Sequence, residues 1–362
     1  MPDLVQRSVE ILLENQSASG AYVASPNFPT YGYCWFRDGA YIAHAMDCVG
    51  EHDSARRFHD WAAGVIVERQ EVVWRAIDKA RRGQPLSAAD ILHTRYTLDG
   101  KESHEVAWPN FQLDGFGTWL WALGEHQRLA GKPLPAAWRR AARLAADYLD
   151  ALWRLPCFDC WEEFPELVHT STLAAIYGGL RSEMLLTSSE RSVTLAEIKA
   201  FLGREAVLEG HFVKAPGRQD VDASLISLAT PYRVVAPEDQ RMRSTVALIE
   251  RDLLRGGLHR YARDTYYGGG GWLLLTAWLG WYDLEAGEPG RARELLAWVE
   301  SQAGEDGNMP EQVPEDLIEP PSYPVWLQRW GPVASPLLWS HAMYLILHEA
   351  LVRAGALQAE NG

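Results

Sequence analysis

The sequence has little of what several protein classes require. Its 362 residues include only four cysteines, too few for a disulfide scaffold. No segment reaches the ~18 uninterrupted apolar residues of a membrane span. The first residues, MPDLVQRSVEILLENQ, lack the basic region and the continuous apolar stretch of a secretory signal. We therefore expect a cytoplasmic protein with reduced thiols and no membrane partner.

Positive charge is also scarce. The chain carries 34 Lys and Arg against 48 Asp and Glu, which gives a net charge of −14. Nucleic acids and anionic membrane surfaces are bound by basic faces, so neither is an expected partner. The hydrophobic fraction of 47% and the charged fraction of 23% are typical of a globular chain.

Strand patterns are rare, because alternation of apolar and polar residues occurs only over the short stretch 206–214. Most of the chain instead repeats its apolar residues at three- and four-residue steps, the period of an amphipathic helix. These helical stretches are 3–14, 38–49, 52–68, 69–82, 113–130, 136–153, 170–186, 193–202, 222–229, 240–254, 272–286, 290–303 and 335–354. No flexible or charged linker divides them. The pattern predicts one all-α domain over 1–362, closed so that most helices have two covered faces.

Long connections rich in aromatic, glycine, proline and acidic residues separate the helices. They cover 19–37, 100–113, 154–169, 257–271 and 304–334. Loops of this length inside a compact domain usually carry function. The 16 tryptophans and 14 tyrosines mostly fill the core, and some are available to stack on the flat faces of sugar rings. We expect the five loops to surround one end of a helical barrel.

Charged residues in these loops fit the recognition and cleavage of a polyhydroxyl ligand. Arg37 and Asp38 end the segment YGYCWFRD, and this pair can donate to and accept from hydroxyl groups. Glu162 and Glu163 follow Trp161, and an indole with a like-charged neighbour raises a carboxyl pKa, as a general acid at neutral pH requires. Glu311 supplies a second, separate carboxylate. Two carboxylates beside an aromatic cleft are the minimum equipment for glycoside hydrolysis.

A glycine run follows the segment HRYARDTYY. Residues 268–271 are all glycine, and Trp272 comes next. Because glycine has no side chain, we expect the backbone of residues 268–271 to approach the ligand closely. No Gly-Lys-Ser/Thr follows, so the run is not a phosphate-binding loop.

The order of the motifs resembles the glucoamylase-type glycoside hydrolases, glycoside hydrolase family 15. The elements in order are YGYCWFRD, WPNFQLDG, DCWEEF, DVDAS, HRYARDTYYGGGGW, PEQ and LLWSHA, spread over about residues 20–350. The resemblance implies an (α/α)6 barrel with long active-site loops. It also implies an inverting, exo-acting hydrolase that releases β-glucose from a non-reducing end, with an oligosaccharide as substrate and no cofactor or metal.

The same resemblance implies roles for individual residues. Glu162 matches the general acid and Glu311 the general base. Arg37, Asp38 and Arg260 match residues at the terminal glucose, and Tyr31 matches a tyrosine near the attacking water. Trp108 resembles a tryptophan that covers the acid. The full set of implied substrate-binding residues is Tyr31, Trp35, Arg37, Asp38, Trp108, Asp159, Trp161, Glu163, Arg260, Tyr266 and Trp272.

The chain most resembles single-domain bacterial members that prefer isomaltose-type α-1,6 linkages. Neither an N-terminal β-sandwich nor a starch-binding module is expected. An α-1,4-specific glucoamylase, a trehalase of the same family and a non-hydrolytic sugar-binding protein on the same barrel remain alternatives. A zinc site at Cys157 and Cys160, completed by Cys34 and Cys48, is a further alternative.

Overall fold

The computed structural model describes residues 3–103 and 108–357. Within those ranges it contains thirteen α-helices: α1 (Leu4–Glu14), α2 (Phe36–Cys48), α3 (His52–Glu68), α4 (Gln70–Arg81), α5 (Asp114–Ala130), α6 (Ala136–Leu152), α7 (Thr170–Thr187), α8 (Ser192–Glu205), α9 (Gln240–Leu253), α10 (Leu273–Glu285), α11 (Pro289–Ser301), α12 (Tyr323–Trp330) and α13 (Leu338–Arg353). The all-α prediction is confirmed. Twelve of the thirteen helical stretches expected from apolar periodicity are α-helices, with small shifts at their ends.

Local sequence sets several helix ends. The Asp3 side chain accepts hydrogen bonds from the backbone N–H groups of Val5 and Gln6, which otherwise have no partner at the start of α1. Asp239 caps α9 in the same way through the N–H of Arg241. Gly131 ends α5 in the left-handed conformation that glycine adopts readily.

Six elements form a closed inner ring. In order they are α2, α5, α7, the 3-10 helix Ala223–Leu228, α10 and α13, and each packs on the next until α13 meets α2 again. The outer layer is made of α1, α3, α6, α8, α9 and α11, each against an inner element. Inner and outer elements alternate along the chain, so the architecture is the expected (α/α)6 barrel.

One inner element differs from the expectation. The stretch 222–229 was expected to be an ordinary helix, but its residues Ala223–Leu228 form a 3-10 helix. The Asp222 side chain accepts from the N–H of Ser224 and so starts this tighter turn.

Small β-pairs tie the loops together. The strands are β1 (Cys34–Trp35), β2 (Arg95–Tyr96), β3 (Val207–Leu208), β4 (His211–Phe212), β5 (Leu254–Arg255), β6 (Gly257–Leu258), β7 (Gly271–Trp272) and β8 (Gln312–Val313). The pairs β1–β2 and β3–β4 are antiparallel, and β5 to β8 form one antiparallel sheet in chain order. The alternation over 206–214 therefore corresponds to the β3–β4 hairpin.

The stretch 304–334 is not wholly a loop. It contains α12 and the 3-10 helix Pro320–Ser322, where prolines occupy first-turn positions. Tyr323, Trp326, Leu327 and Trp330 repeat at helical spacing, but α12 has only eight residues and starts among prolines, which favoured a loop. Of the loop 100–113, residues 104–107 lie outside the described ranges. No helix of the described chain is both long and apolar enough to cross a membrane.

Candidate active site

A cavity of about 350 Å³ opens at one end of the barrel, where α2, α10 and α13 begin. Each of the five long loops contributes to its wall, with Tyr31, Trp108, Glu162, Arg260 and Glu311 as representatives. Of the site residues expected from the sequence, the cavity is lined by all but Asp159. The structure therefore brings together side chains from nearly the whole length of the chain.

Glu162 is held by three donors at a single oxygen. Its Oε1 accepts from Trp35 Nε1 at 2.7 Å, from Trp108 Nε1 at 2.9 Å and from Gln112 Nε2 at 3.1 Å. Within the described chain, its Oε2 receives no hydrogen bond, so that oxygen is available to carry a proton. The two indoles pack edge to face at 5.8 Å, and Arg95 lies 3.5 Å above the Trp108 ring.

A tight turn over residues 159–163 presents Glu162. One carboxylate oxygen of Asp159 accepts from the backbone N–H groups of Trp161 and Glu163, both at 2.9 Å. Glu162 has a left-handed backbone, with φ of 67°, a conformation that costs a non-glycine residue on the order of 1–3 kcal/mol. The strained backbone conformation is therefore at Glu162, the residue of the turn whose side chain enters the cavity.

The position of Asp159 corrects the expectation that it binds substrate. Asp159 is 1% exposed and lies beneath the cavity wall. Lys214 Nζ lies 3.3 Å from Asp159 and 2.9 Å from Asp222. Asp222 in turn accepts from Trp161 Nε1. This buried triad fixes the turn from below, and Asp159 is thus a positioning residue.

Glu163, the charged neighbour of Glu162, is itself held by two side chains. Glu163 Oε1 lies 3.7 Å from Arg260, and its Oε2 accepts from the Tyr261 hydroxyl at 2.7 Å. Burial raises the pKa of Glu163, while Arg260 and Tyr261 oppose that rise. Because Arg260 offsets its charge, Glu163 is not a bare like charge beside Glu162.

Glu311 is fully enclosed and held by a tyrosine pair. The Tyr31 hydroxyl donates to Glu311 Oε1 at 3.0 Å and lies 3.0 Å from the Tyr266 hydroxyl. Glu311 Oε2 has no hydrogen-bond partner among the described residues. Burial raises the pKa of Glu311 to about 7, against the opposing effects of Tyr31 and Arg260. Glu315 and Glu319, the nearby acids that could be mistaken for it, are exposed and do not line the cavity.

The glycine run positions Glu311 and does not contact the cavity. A Cβ on Gly270 would lie 2.2 Å from the carbonyl oxygen of Val313, a distance that no side chain tolerates. Gly270 N–H also donates to Gln312 Oε1 at 2.8 Å. The glycines thus allow β7 to approach β8, which follows Glu311 directly. Close approach was expected, but to a ligand; the structure shows approach to a second strand.

Two arginines are fixed by acidic partners before any ligand binds. Arg37 Nη1 donates to Asp114 and to Gln112, each at 3.1 Å, and its Nη2 lies 3.4 Å from Asp38. Arg260 Nε donates to Asp264 at 2.7 Å, and its Nη2 also contacts that carboxylate. Burial raises the pKa of Asp38 to about 6, although Arg37 opposes the rise.

Several buried polar atoms of the cavity residues have no hydrogen-bond partner in the described chain. They are Arg37 Nε, Asp38 Oδ2, Trp272 Nε1, Trp339 Nε1 and Glu311 Oε2. An unsatisfied buried polar group costs about 1–3 kcal/mol. Donors and acceptors are mixed in this set, which suits a ligand whose groups both donate and accept. Hydroxyl groups of a sugar meet that requirement.

Several residues of the site were missed from the sequence. Gln112, Asp222 and Asp264 lie inside the motif segments, so those segments were the available signal. Trp339 also lies within one of them. Arg95 comes from β2, and Trp326, Arg329 and Trp330 come from α12, outside every motif. Only tertiary packing brings the three α12 residues to the cavity and places Arg95 on the ring of Trp108.

The cysteines do not form the alternative zinc site. All four are free thiols. Cys160 lines the active-site cavity, whereas Cys48 lines a separate cavity at the other end of α2. Among the described residues, no three potential ligands that include Cys157 or Cys160 converge on one point.

A helical barrel with separated carboxylates, stacked aromatics and unsatisfied polar atoms around one cavity defines a glycoside hydrolase. The chain belongs to the glycosyl hydrolases family 15, whose family model matches residues 2–310. That match ends one residue before Glu311. Isomaltose glucohydrolase of Kribbella flavida is 42% identical over 96% of this chain and 92% of its own length.

Solved structures agree with this assignment. A glycosidase of known structure superposes with a TM-score of 0.93, at 42% identity over 98% of this chain and 97% of its own, and one of its variants is in complex with glucose. A bacterial glucoamylase complexed with acarbose superposes with a TM-score of 0.72 at 20% identity, over 97% of this chain and 55% of its own. The second likeness shows the fold alone.

Proposed function

We propose that this protein is an inverting, exo-acting α-glucoside hydrolase that releases β-glucose from the non-reducing end of short oligosaccharides. Isomaltose-type α-1,6 linkages are the proposed substrate, in line with the name of the Kribbella flavida relative. One observation carries the proposal. Glu162 and Glu311 come from distant loops and line the same cavity, and each has one carboxyl oxygen that receives no hydrogen bond from the described residues.

In this mechanism Glu162 is the general acid. The three N–H groups at Oε1 fix the orientation of the carboxyl group, so the proton is carried by Oε2. Oε2 donates this proton to the glycosidic oxygen as the bond to C1 breaks. Gln112 also accepts from Arg37, so the acid is connected to a residue proposed to bind the terminal sugar.

Glu311 is the general base. Tyr31 holds Oε1, and the free Oε2 accepts a proton from a water that attacks C1 from the face opposite the leaving group. A pKa near 7 makes this carboxylate a stronger base than an exposed glutamate, and it is ionised above that pH. Attack from the opposite face inverts the anomeric carbon, so the product is β-glucose.

The inner end of the cavity supports exo action. Tyr41 and Tyr232 lie in the barrel interior, both are buried, and their hydroxyls are 3.0 Å apart. A sugar chain cannot thread past these filled layers, so only a terminal residue reaches Arg37 and Asp38. A volume of about 350 Å³ lies at the small end of ligand cavities, which favours short substrates. We also propose that the chain works as one catalytic domain, since a single apolar core runs from Leu12 to Leu351.

The decisive experiment follows the anomeric form of the released sugar by NMR, with isomaltose, maltose and trehalose as separate substrates. The expected result is fastest hydrolysis of isomaltose with β-glucose appearing first. Initial release of α-glucose would contradict the inverting mechanism. Preference for maltose or trehalose would reassign the linkage, and binding without turnover would indicate a sugar-binding protein.

The matched variant is Glu162→Gln, which cannot donate a proton. We expect kcat on isomaltose to fall by about 10²–10⁴-fold, the usual contribution of a general acid, while glucose still binds. Glu166→Gln is the control, because Glu166 is exposed, four residues further on, and does not line the cavity. Unchanged turnover in Glu162→Gln would disprove the assignment of the acid.

A further inference from the structure

A second cluster of polar side chains lies at the far end of α2 from the active site. Asp47 is nine residues beyond Asp38, or ~13 Å along the helix axis at 1.5 Å per residue. It meets His59 of α3 and His126 of α5, and one potential ligand atom from each lies within 4.8 Å of the others. All three residues are buried. The cluster is thus separate from the catalytic cavity.

The aspartate at its centre is surrounded by imidazoles. His126 Nδ1 lies 2.9 Å from both carboxylate oxygens of Asp47. His52 Nδ1, from the first residue of α3, lies 2.7 Å from Asp47 Oδ1. The Asp47 side chain is fully inaccessible, while that of His52 is 37% exposed. Among the four residues, His52 is therefore the one through which solvent reaches the cluster in the described structure.

His59 is the unusual member. It is 0% exposed, and neither ring nitrogen has a hydrogen-bond partner among the described residues. Its ring packs on Trp138 at 5.4 Å and on His126 at 5.0 Å, so apolar and aromatic surfaces enclose it. A neutral imidazole has a lone pair on one ring nitrogen, and that nitrogen is the atom that binds a metal ion. A histidine used only for packing would be better replaced by an apolar residue, because its unpaired nitrogens destabilise the fold.

We propose that Asp47, His59 and His126 bind a divalent zinc ion, with His52 as the fourth ligand. Imidazole nitrogens with one carboxylate suit zinc, whereas calcium and magnesium require more oxygen ligands than the cluster provides. Tetrahedral ligands at ~2.1 Å from zinc lie about 3.4 Å apart. The ligand atoms of Asp47, His59 and His126, which lie within 4.8 Å of one another, would therefore move closer by up to about 1.4 Å on binding, and His52 is already 2.7 Å from Asp47.

The proposed role of this ion is structural. It would join the end of α2, the start of α3 and the later half of α5, which are neighbours in the two barrel layers. No ligand of the cluster lines the catalytic cavity, so the ion takes no part in hydrolysis. Zinc should raise thermal stability and leave kcat on the oligosaccharide substrate unchanged.

The test is a zinc titration of the full chain after treatment with a chelator. We expect one zinc per chain, and a rise in Tm of about 3 °C or more when zinc is ~100-fold above its Kd. His59→Gln should abolish both effects. His348→Gln is the matched control, because His348 is also buried and helical but lies in α13, outside the cluster.

X-ray absorption at the zinc edge of the wild-type complex requires no variant, so the proposal is testable even if His59→Gln does not fold. Nitrogen and oxygen neighbours without sulfur are expected. A sulfur neighbour, or binding that persists in His59→Gln and is lost in Cys157→Ser, would move the ion to the cysteines and overturn the proposal. Absence of both zinc binding and a Tm shift in the wild type would overturn it as well.

Discussion

At the scale of single residues, Glu162 and Glu311 are hydrogen-bonded in the same pattern. In each, protein donors bind one carboxyl oxygen, and within residues 3–103 and 108–357 nothing donates to the other. Their surroundings differ, since indole and amide N–H groups hold Glu162 and phenol hydroxyls hold Glu311. Glu311 is also the more buried of the two. The two carboxyl groups therefore lie in chemically different surroundings.

The hydroxyl of Tyr31 should set the pH dependence of activity. Its hydrogen bond stabilises the ionised form of Glu311 and so lowers the pKa of that group. Tyr31→Phe removes this bond, and the pKa of Glu311 rises further above 7. We expect the acidic limb of the kcat/KM profile to move about one pH unit higher.

Tyr33→Phe is the control for this measurement. Tyr33 is only two residues from Tyr31, but its hydroxyl lies 3.0 Å from Ser103 and contacts no carboxylate among the described residues. Its profile should match that of the wild type. An acidic limb that stays in place in Tyr31→Phe would mean that Glu311 is not the base that titrates.

At the scale of secondary-structure elements, the four-stranded sheet β5–β8 holds the proposed base in place. Trp272 of β7 pairs with Gln312 of β8, and the residue before Gln312 is Glu311. The backbone N–H of Glu311 donates to the carbonyl of Ala334 at 2.9 Å. Two-residue strands thus anchor the proposed base between α10 and α13.

Gly270→Ala tests the sheet. The added Cβ would meet the carbonyl oxygen of Val313 at 2.2 Å, so β7 and β8 must separate and Glu311 must move. We expect kcat to fall by roughly 10²-fold, since small misplacements of a catalytic group have effects of that size. Steady-state kinetics and circular dichroism measured together distinguish this from unfolding.

Gly64→Ala is its counterpart, because a Cβ at Gly64 meets nothing within 4 Å in the interior of α3. This change should keep full activity and stabilise the protein by about 0.5–1 kcal/mol. Equal kinetics for the two variants would show that the close approach of β7 to β8 is irrelevant to the base.

At the scale of the whole molecule, the burial of Glu311 should make the free energy of unfolding depend on pH. Its pKa is 4.5 unperturbed and about 7 when folded, so between those values the folded state binds more protons than the unfolded state. Its contribution is therefore present at low pH and is lost as the pH rises through 7. Relative to Glu311→Gln, the wild type should lose about 3 kcal/mol of unfolding free energy between pH 4.5 and 8.

Urea unfolding at several pH values measures this difference. Glu315→Gln is the control, since Glu315 is exposed and its difference from the wild type should stay flat with pH. A flat difference for Glu311→Gln as well would show that the carboxyl group is hydrated in the folded protein.

Helix periodicity and motif order predicted most of the fold and much of the site. The helix α3 begins and ends where the apolar pattern does, because burial of one face sets that pattern. The helix α12 was missed because it spans only eight residues and begins among prolines, which are typical of a loop. The role of Asp159 was misassigned because its motif marks nearness to the site, and only the backbone shows that its oxygen accepts from the turn.

The sequence by itself determined the helical class, the five functional loops and the residue types available for acid–base chemistry. These depend on local periodicity and on short segments of chain. Tertiary structure alone decided which oxygen of each glutamate is free, that the glycines pack on a strand, and that Asp47, His59 and His126 converge. Such features depend on distances between residues far apart in the chain, and those distances are fixed only when the barrel closes.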